Sequence, residues 1–183
     1  MRPALELFKT LLALVTVLGM TVLLLAGMDA VPRALSPKLE TMSTVPSVEE
    51  AEKRLNAKLA LPSYFPETLA WPPFEVRIAR GEPPSARVML AGRDGGGPTV
   101  VLCQTVGGEG AISTELLQPP ARVLDTRAVD IGGARGSLAR IETADGLLWY
   151  DLGWHHGSQT FVLRTHGTVD EALMMAASVR RPR

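Results

Sequence analysis

Leu147-Leu148-Trp149-Tyr150-Asp151-Leu152-Gly153-Trp154-His155-His156-Gly157-Ser158-Gln159-Thr160-Phe161-Val162-Leu163-Arg164-Thr165 reads as two β-strands joined by a tight turn. Leu147 to His155 and Gln159 to Thr165 read as strong strands, and from Tyr150 to His155 apolar and polar side chains alternate, the period of an extended chain on a pleated sheet. His156-Gly157-Ser158 between them supplies turn chemistry, because glycine reaches backbone angles closed to other residues.

The same period extends upstream. Phe74, Val76 and Ile78 alternate with Glu75, Arg77 and Ala79, and Val88 and Leu90 alternate with Arg87 and Met89. Thr99 to Val106 is nearly continuous in apolar residues and reads as a central strand. Ala111 to Leu117, Arg122 to Val129, and Ala134 to Thr143 read as weaker strands. Between these runs lie Asp94-Gly95-Gly96-Gly97-Pro98, Gly107-Gly108, Gly132-Gly133 and Asp145-Gly146. Links this short join antiparallel neighbours.

Two helices bracket the strands. Ser47-Val48-Glu49-Glu50 is a capping-box pattern, and Val48, Ala51, Leu55 and Leu59 then share one helical face. Pro62 cannot continue that helix. Thr168-Val169-Asp170-Glu171 opens a second helix with Val169, Ala172, Leu173 and Ala176 on its buried side. The expected class is α+β: an antiparallel, curved, half-barrel-like sheet of six to eight strands with two flanking amphipathic helices.

The amino-terminal part is of another kind. Leu11 to Met28 carries no charge, and as a helix it spans roughly 27 Å, close to the hydrocarbon thickness of a bilayer. We expect residues 1–10 to be a short arm, 11–28 a transmembrane helix, 29–46 a Pro/Ser/Thr linker carrying Pro32, Pro37 and Pro46, and 47–183 the folded domain. A cleaved signal peptide would have a shorter apolar core and small residues at the cut, whereas the first candidate site is Val31-Pro32-Arg33-Ala34. No cysteine follows the core, as a lipoprotein signal would require. The short arm favours the amino end in the cytoplasm, with the domain in the periplasm or outside.

The chain of 183 residues has 19 Lys+Arg and 19 Asp+Glu, so it lacks the basic excess of a nucleic-acid binder. Arg180, Arg181 and Arg183 read as a solvated tail. The one cysteine, Cys103, lies in the apolar run Val100-Val101-Leu102-Cys103 and reads as a small hydrophobe with no disulfide partner. His155 and His156 are adjacent on a strand and point to opposite faces, so they do not make a metal pair, although His166 could lie near one of them. Gly136-Ser137 and Gly157-Ser158 lack the flanks of a nucleophile elbow. The carboxylates Asp125, Asp130, Glu142, Asp145 and Asp151 fall in turns or on solvent faces. Gly92 to Gly97 lacks the Gly-Lys-Ser/Thr ending of a phosphate loop and reads as a hairpin. We therefore expect no catalytic, cofactor or metal site.

What remains is aromatic. Trp71-Pro72-Pro73-Phe74 precedes the first of these strands, and Trp149 and Trp154 lie in the last hairpin. Trp71, Phe74, Trp149 and Trp154 are the candidate contacts for a partner or an apolar ligand. Trp71 leads, because its flanking prolines make it hard to bury.

Ser47-Val48-Glu49-Glu50-Ala51, Leu61-Pro62-Ser63-Tyr64-Phe65-Pro66-Glu67, Leu148-Trp149, Trp154 to Leu163, and Thr168 to Leu173 with Ala176-Ala177-Ser178-Val179 together resemble a bacterial extracytoplasmic domain of unknown function. That family recurs at the carboxyl end of membrane-anchored regulators, including anti-sigma-factor-like and sporulation-linked proteins. Glu67-Thr68 stands where the pattern has Glu-Gly. The resemblance implies an extracytoplasmic regulatory domain with no established catalytic residues. The expected function is a non-catalytic, membrane-anchored interaction module. It would serve as an accessory subunit or regulator that engages the bilayer through 11–28 and another membrane or periplasmic protein through the domain. A lipid or apolar-ligand carrier or sensor is the alternative.

Overall fold

The computed structural model describes residues 42–108, 110–112 and 116–180. The elements run β1 (Ser43–Val45), α1 (Val48–Leu55), β2 (Leu61–Pro62), β3 (Glu75–Ala79), β4 (Ser85–Ala91), β5 (Pro98–Thr105), β6 (Ala121–Ile131), β7 (Ala134–Thr143), β8 (Leu148–His156), β9 (Gln159–Thr165), α2 (Val169–Ala177) and β10 (Val179–Arg180). Eight strands form one antiparallel sheet in the order β1-β3-β4-β5-β9-β8-β7-β6. Its two outer strands, β1 and β6, do not pair with each other among the described residues, so the sheet is not closed into a barrel. β2 and β10 make a separate two-stranded ladder.

The register explains the core. Leu138, Leu152, Leu163, Leu102, Val88, Val76 and Val45 are successive cross-strand partners from β7 to β1, all buried. They form one aliphatic row across the face that the helices cover. A parallel row runs through Trp154, Phe161, Gln104, Ala86 and Ile78. Gln104 is polar and completely buried, and it is satisfied by segment 56–61. Its Oε1 accepts from Ala60 N at 2.9 Å and its Nε2 donates to Ala60 O at 3.0 Å. A buried amide with both ends bonded fixes that segment on the sheet.

Both helices start where their caps predict. Ser47 accepts from Glu50 N at 3.2 Å, and Thr168 and Glu171 make the reciprocal box. α1 is shorter than the expected Val48–Leu59. Asn56 takes a left-handed conformation (φ 50°) and its N–H returns to the helix carbonyls, which ends the turn at Leu55. α1 packs on Val45, Val76, Ile78, Ala86 and Val88. α2 lays Ala172, Met175 and Ala176 over Leu152, Trp154, Phe161 and Leu163.

Three expectations about strands are corrected. The stretch 29–46 was expected as linker, yet β1 lies inside it and extends the sheet by pairing with β3. Ala111–Leu117 was expected as a strand, but its described residues belong to no strand. The described residues of this stretch lie instead on the other face of the sheet, a strap that seats Ile112, Leu116 and Leu117 on Met89, Val101, Cys103 and Val162. The strap's carbonyls are taken by side chains rather than by a ladder. Arg87 Nη1 donates to Leu116 O at 3.3 Å, and Arg164 Nη1 donates to Leu117 O and Pro119 O. Arg122–Val129 and Ala134–Thr143 were expected to be weak, yet β6 and β7 are the longest strands, with 11 and 10 residues. Their turn is Gly132-Gly133, both at positive φ (60° and 88°), the geometry that matches strand twist.

Among the described residues no helix is long and apolar enough to cross a membrane. The expected span, 11–28, lies outside them.

Candidate functional site

Trp71 and Phe74 sit on the segment that leads from β2 into β3. Pro66, Pro72 and Pro73 keep that segment out of a ladder. Its backbone is nonetheless anchored to the end of β4. Ala70 N donates to Ala91 O at 2.9 Å, Phe74 N to Met89 O at 2.8 Å, and Arg93 N to Thr68 O at 2.8 Å. Arg93 Nε adds a bond to Leu69 O at 3.0 Å, and Leu69 itself is buried. The side chains of Trp71 and Phe74 project from this clamped backbone and are 57% and 69% exposed. The Phe65 ring supports Trp71 with centroids 5.6 Å apart. Two large aromatics held in place at the surface lose little conformational entropy when something packs on them.

The other two expected contacts are placed differently. Trp149 and Trp154 are each only 4% exposed. Trp154 stacks on Phe161 at 5.2 Å within the helix-covered face. Trp149 points to the opposite face, edge-on to His166 at 5.3 Å. Trp154 lies beneath α2, and Trp149 is packed beside His166 at the end of β9. Strand parity therefore exposes neither ring.

A second exposed apolar group was not anticipated. Val123 and Leu124 on β6 and Leu147 and Leu148 at the β7–β8 turn are all exposed. The antiparallel registers place them at the same end of the sheet as Phe74, where β3 and β8 begin and β4 and β7 end. The available signal was Leu147-Leu148 directly after the Asp145-Gly146 turn, a position where an apolar pair has no inward direction. Beside it lies an open groove of about 600 Å³ lined by Pro120, Ala121, Arg122, Glu142, Thr143, Ala144 and Gly146.

The polar residues form structural pairs. Arg164 and Asp151 make a two-pronged bond, Nε–Oδ1 and Nη2–Oδ2 both 2.7 Å. Glu75 accepts from Arg77 at 2.7 Å and from Arg87 at 2.8 Å. Burial works to raise the Glu75 carboxyl, but the hydrogen bonds and charges of Arg77 and Arg87 outweigh it and hold the group below the usual carboxylate range. Asp125 pairs with Arg140 and Glu142 with Arg122, each at 2.8 Å. Asp130 accepts from Gly133 N in its turn. The Thr143 hydroxyl bonds Asp145 and lowers its carboxyl. Burial pushes the Cys103 thiol up to about 12, so it is not a nucleophile. His155 lies opposite Thr160 near the start of β9, while His166 follows its far end, so the histidines are not brought together. Among the described residues no three His, Cys, Asp or Glu side chains gather as metal ligands. Gly92–Gly97 is the β4–β5 hairpin, with Gly96 N bonded to Asp94 at 3.2 Å.

No family model, curated protein or solved structure matches this chain. The clamped Trp71–Phe74 element is therefore weighed on its own geometry.

Proposed function

We propose that this chain is a membrane-anchored, extracytoplasmic, non-catalytic interaction module, an accessory subunit or regulator of a membrane or envelope complex. In this reading residues 11–28 cross the bilayer, the sheet curves as a half-barrel behind its helices, and Trp71 and Phe74 pack on a partner protein. One observation carries the contact: both rings are more than half exposed on a backbone hydrogen-bonded to β4. The resemblance of the 47–51, 61–67 and 148–179 motifs to a domain of membrane-anchored regulators supports the setting.

The test uses tagged full-length protein extracted from native membranes in mild detergent. The wild type is expected to migrate in a discrete larger assembly. The Trp71→Ala/Phe74→Ala variant is expected to leave that assembly while keeping the buried-tryptophan fluorescence of Trp149 and Trp154. Co-migration of the variant with the same assembly refutes the contact. Release of the wild type from membranes by alkaline carbonate refutes the anchor.

A further inference from the structure

We propose that the outer edge of β6 pairs with β6 of a second copy of this chain, antiparallel, about a twofold axis through Thr126. β6 ends the sheet, and its outer edge meets no other strand among the described residues. It is long, with 11 residues, and exposed over most of its length. An edge of this kind presents a row of free N–H and C=O groups that template another strand.

Edges are commonly guarded by charges of one sign, which repel a second copy. β6 does the reverse. Asp125 and Arg127 lie two residues apart, so they share a face. Antiparallel pairing centred on Thr126 puts Arg127 opposite Asp125 of the second copy, and Asp125 opposite its Arg127. Within the chain Asp125 has Arg140 at 2.8 Å, whereas Arg127 makes no ion pair among the described residues. The second copy supplies the carboxylate that Arg127 lacks.

The bulge fits the same register. β6 carries one extra residue between Val123 and Asp125. Counting Leu124 as that extra residue on both strands, Ala128 meets Val123 of the second copy on the opposite face. Val123 is exposed in the single chain and is covered in the pair. This edge is separate from the Trp71–Phe74 element at β3, so the two surfaces fail or hold independently.

The experiment is oxidative cross-linking of full-length protein in detergent. Cα atoms directly opposed across an antiparallel ladder lie about 4.5–5.5 Å apart, within disulfide reach. Thr126→Cys sits on the axis and is expected to give a disulfide dimer, while Ser158→Cys in the exposed β8–β9 turn gives none. Native Cys103 is buried and does not compete. Adding Arg127→Asp to Thr126→Cys places like charges together at both symmetry-related positions and is expected to lower the dimer yield about ten-fold. Arg127→Lys retains it. Buried-tryptophan fluorescence confirms that each variant is folded. Equal cross-linking at Thr126→Cys and Ser158→Cys, or a yield indifferent to Arg127→Asp, overturns the proposal.

Discussion

Replacing Arg164 by Met removes the cation that joins two parts of the molecule. Its side chain is 5% exposed and its guanidinium bonds both oxygens of Asp151 at 2.7 Å. The same group donates to Leu117 O and Pro119 O, tying the strap to the sheet. At an effective dielectric constant of about 20, unit charges ~4 Å apart attract by about 4 kcal/mol. Methionine fills most of the volume but leaves the Asp151 carboxylate without its partner. Breaking one half of a buried pair in this way costs about 3–5 kcal/mol. The two strap carbonyls add less, because a loosened strap exposes them to water. A loss of that size is a large part of the about 5–15 kcal/mol that holds an ordinary domain folded. Urea unfolding of the full chain in detergent, followed by tryptophan fluorescence, reads it directly, since Trp149 and Trp154 are buried reporters. The Arg164→Met/Asp151→Leu pair is expected to regain most of the loss, because no orphaned charge remains. A single-variant loss below about 1 kcal/mol, the range of exposed ion pairs, would refute the assignment of Arg164 as the tie between strap and sheet.

Gln104→Leu strands the N–H and C=O of Ala60 and is expected to cost about 1–3 kcal/mol, with faster amide exchange at Ala60, read by hydrogen exchange. Cys103, with its thiol pushed up to about 12 by burial, is expected to react with maleimide at neutral pH only after global unfolding. Glu75 has a lowered carboxyl, so its contribution to stability is complete above the unfolded value of about 4.3 and disappears as pH falls through the lower folded value. The difference in urea midpoint between wild type and Glu75→Gln should therefore be flat at neutral pH and shrink only in acid.

Much of the fold lies in local pattern. Two-residue alternation marked β3, β4 and part of β8, a nearly continuous apolar run marked β5, and the His156-Gly157-Ser158 turn set β9 after β8, because these signals depend only on neighbours along the chain. Ser47 and Thr168 announced both helix starts for the same reason. Trp71 was legible as a surface residue from its prolines alone. Nothing local identified β1, whose three residues gain strand geometry only by pairing with β3. The β2–β10 ladder joins segments more than a hundred residues apart and is equally invisible in sequence.

By itself the sequence determined most of the segments that extend or coil and most of the turns between them, since backbone preference and periodicity are properties of short stretches. Tertiary structure decided which side chains of the strands meet water. Trp154 is covered by α2 on the first face and Trp149 sits edge-on to His166 on the second, while β6, also read as a strand, stays exposed over most of its length. Burial depends on what arrives from elsewhere in the chain, and periodicity carries no record of that.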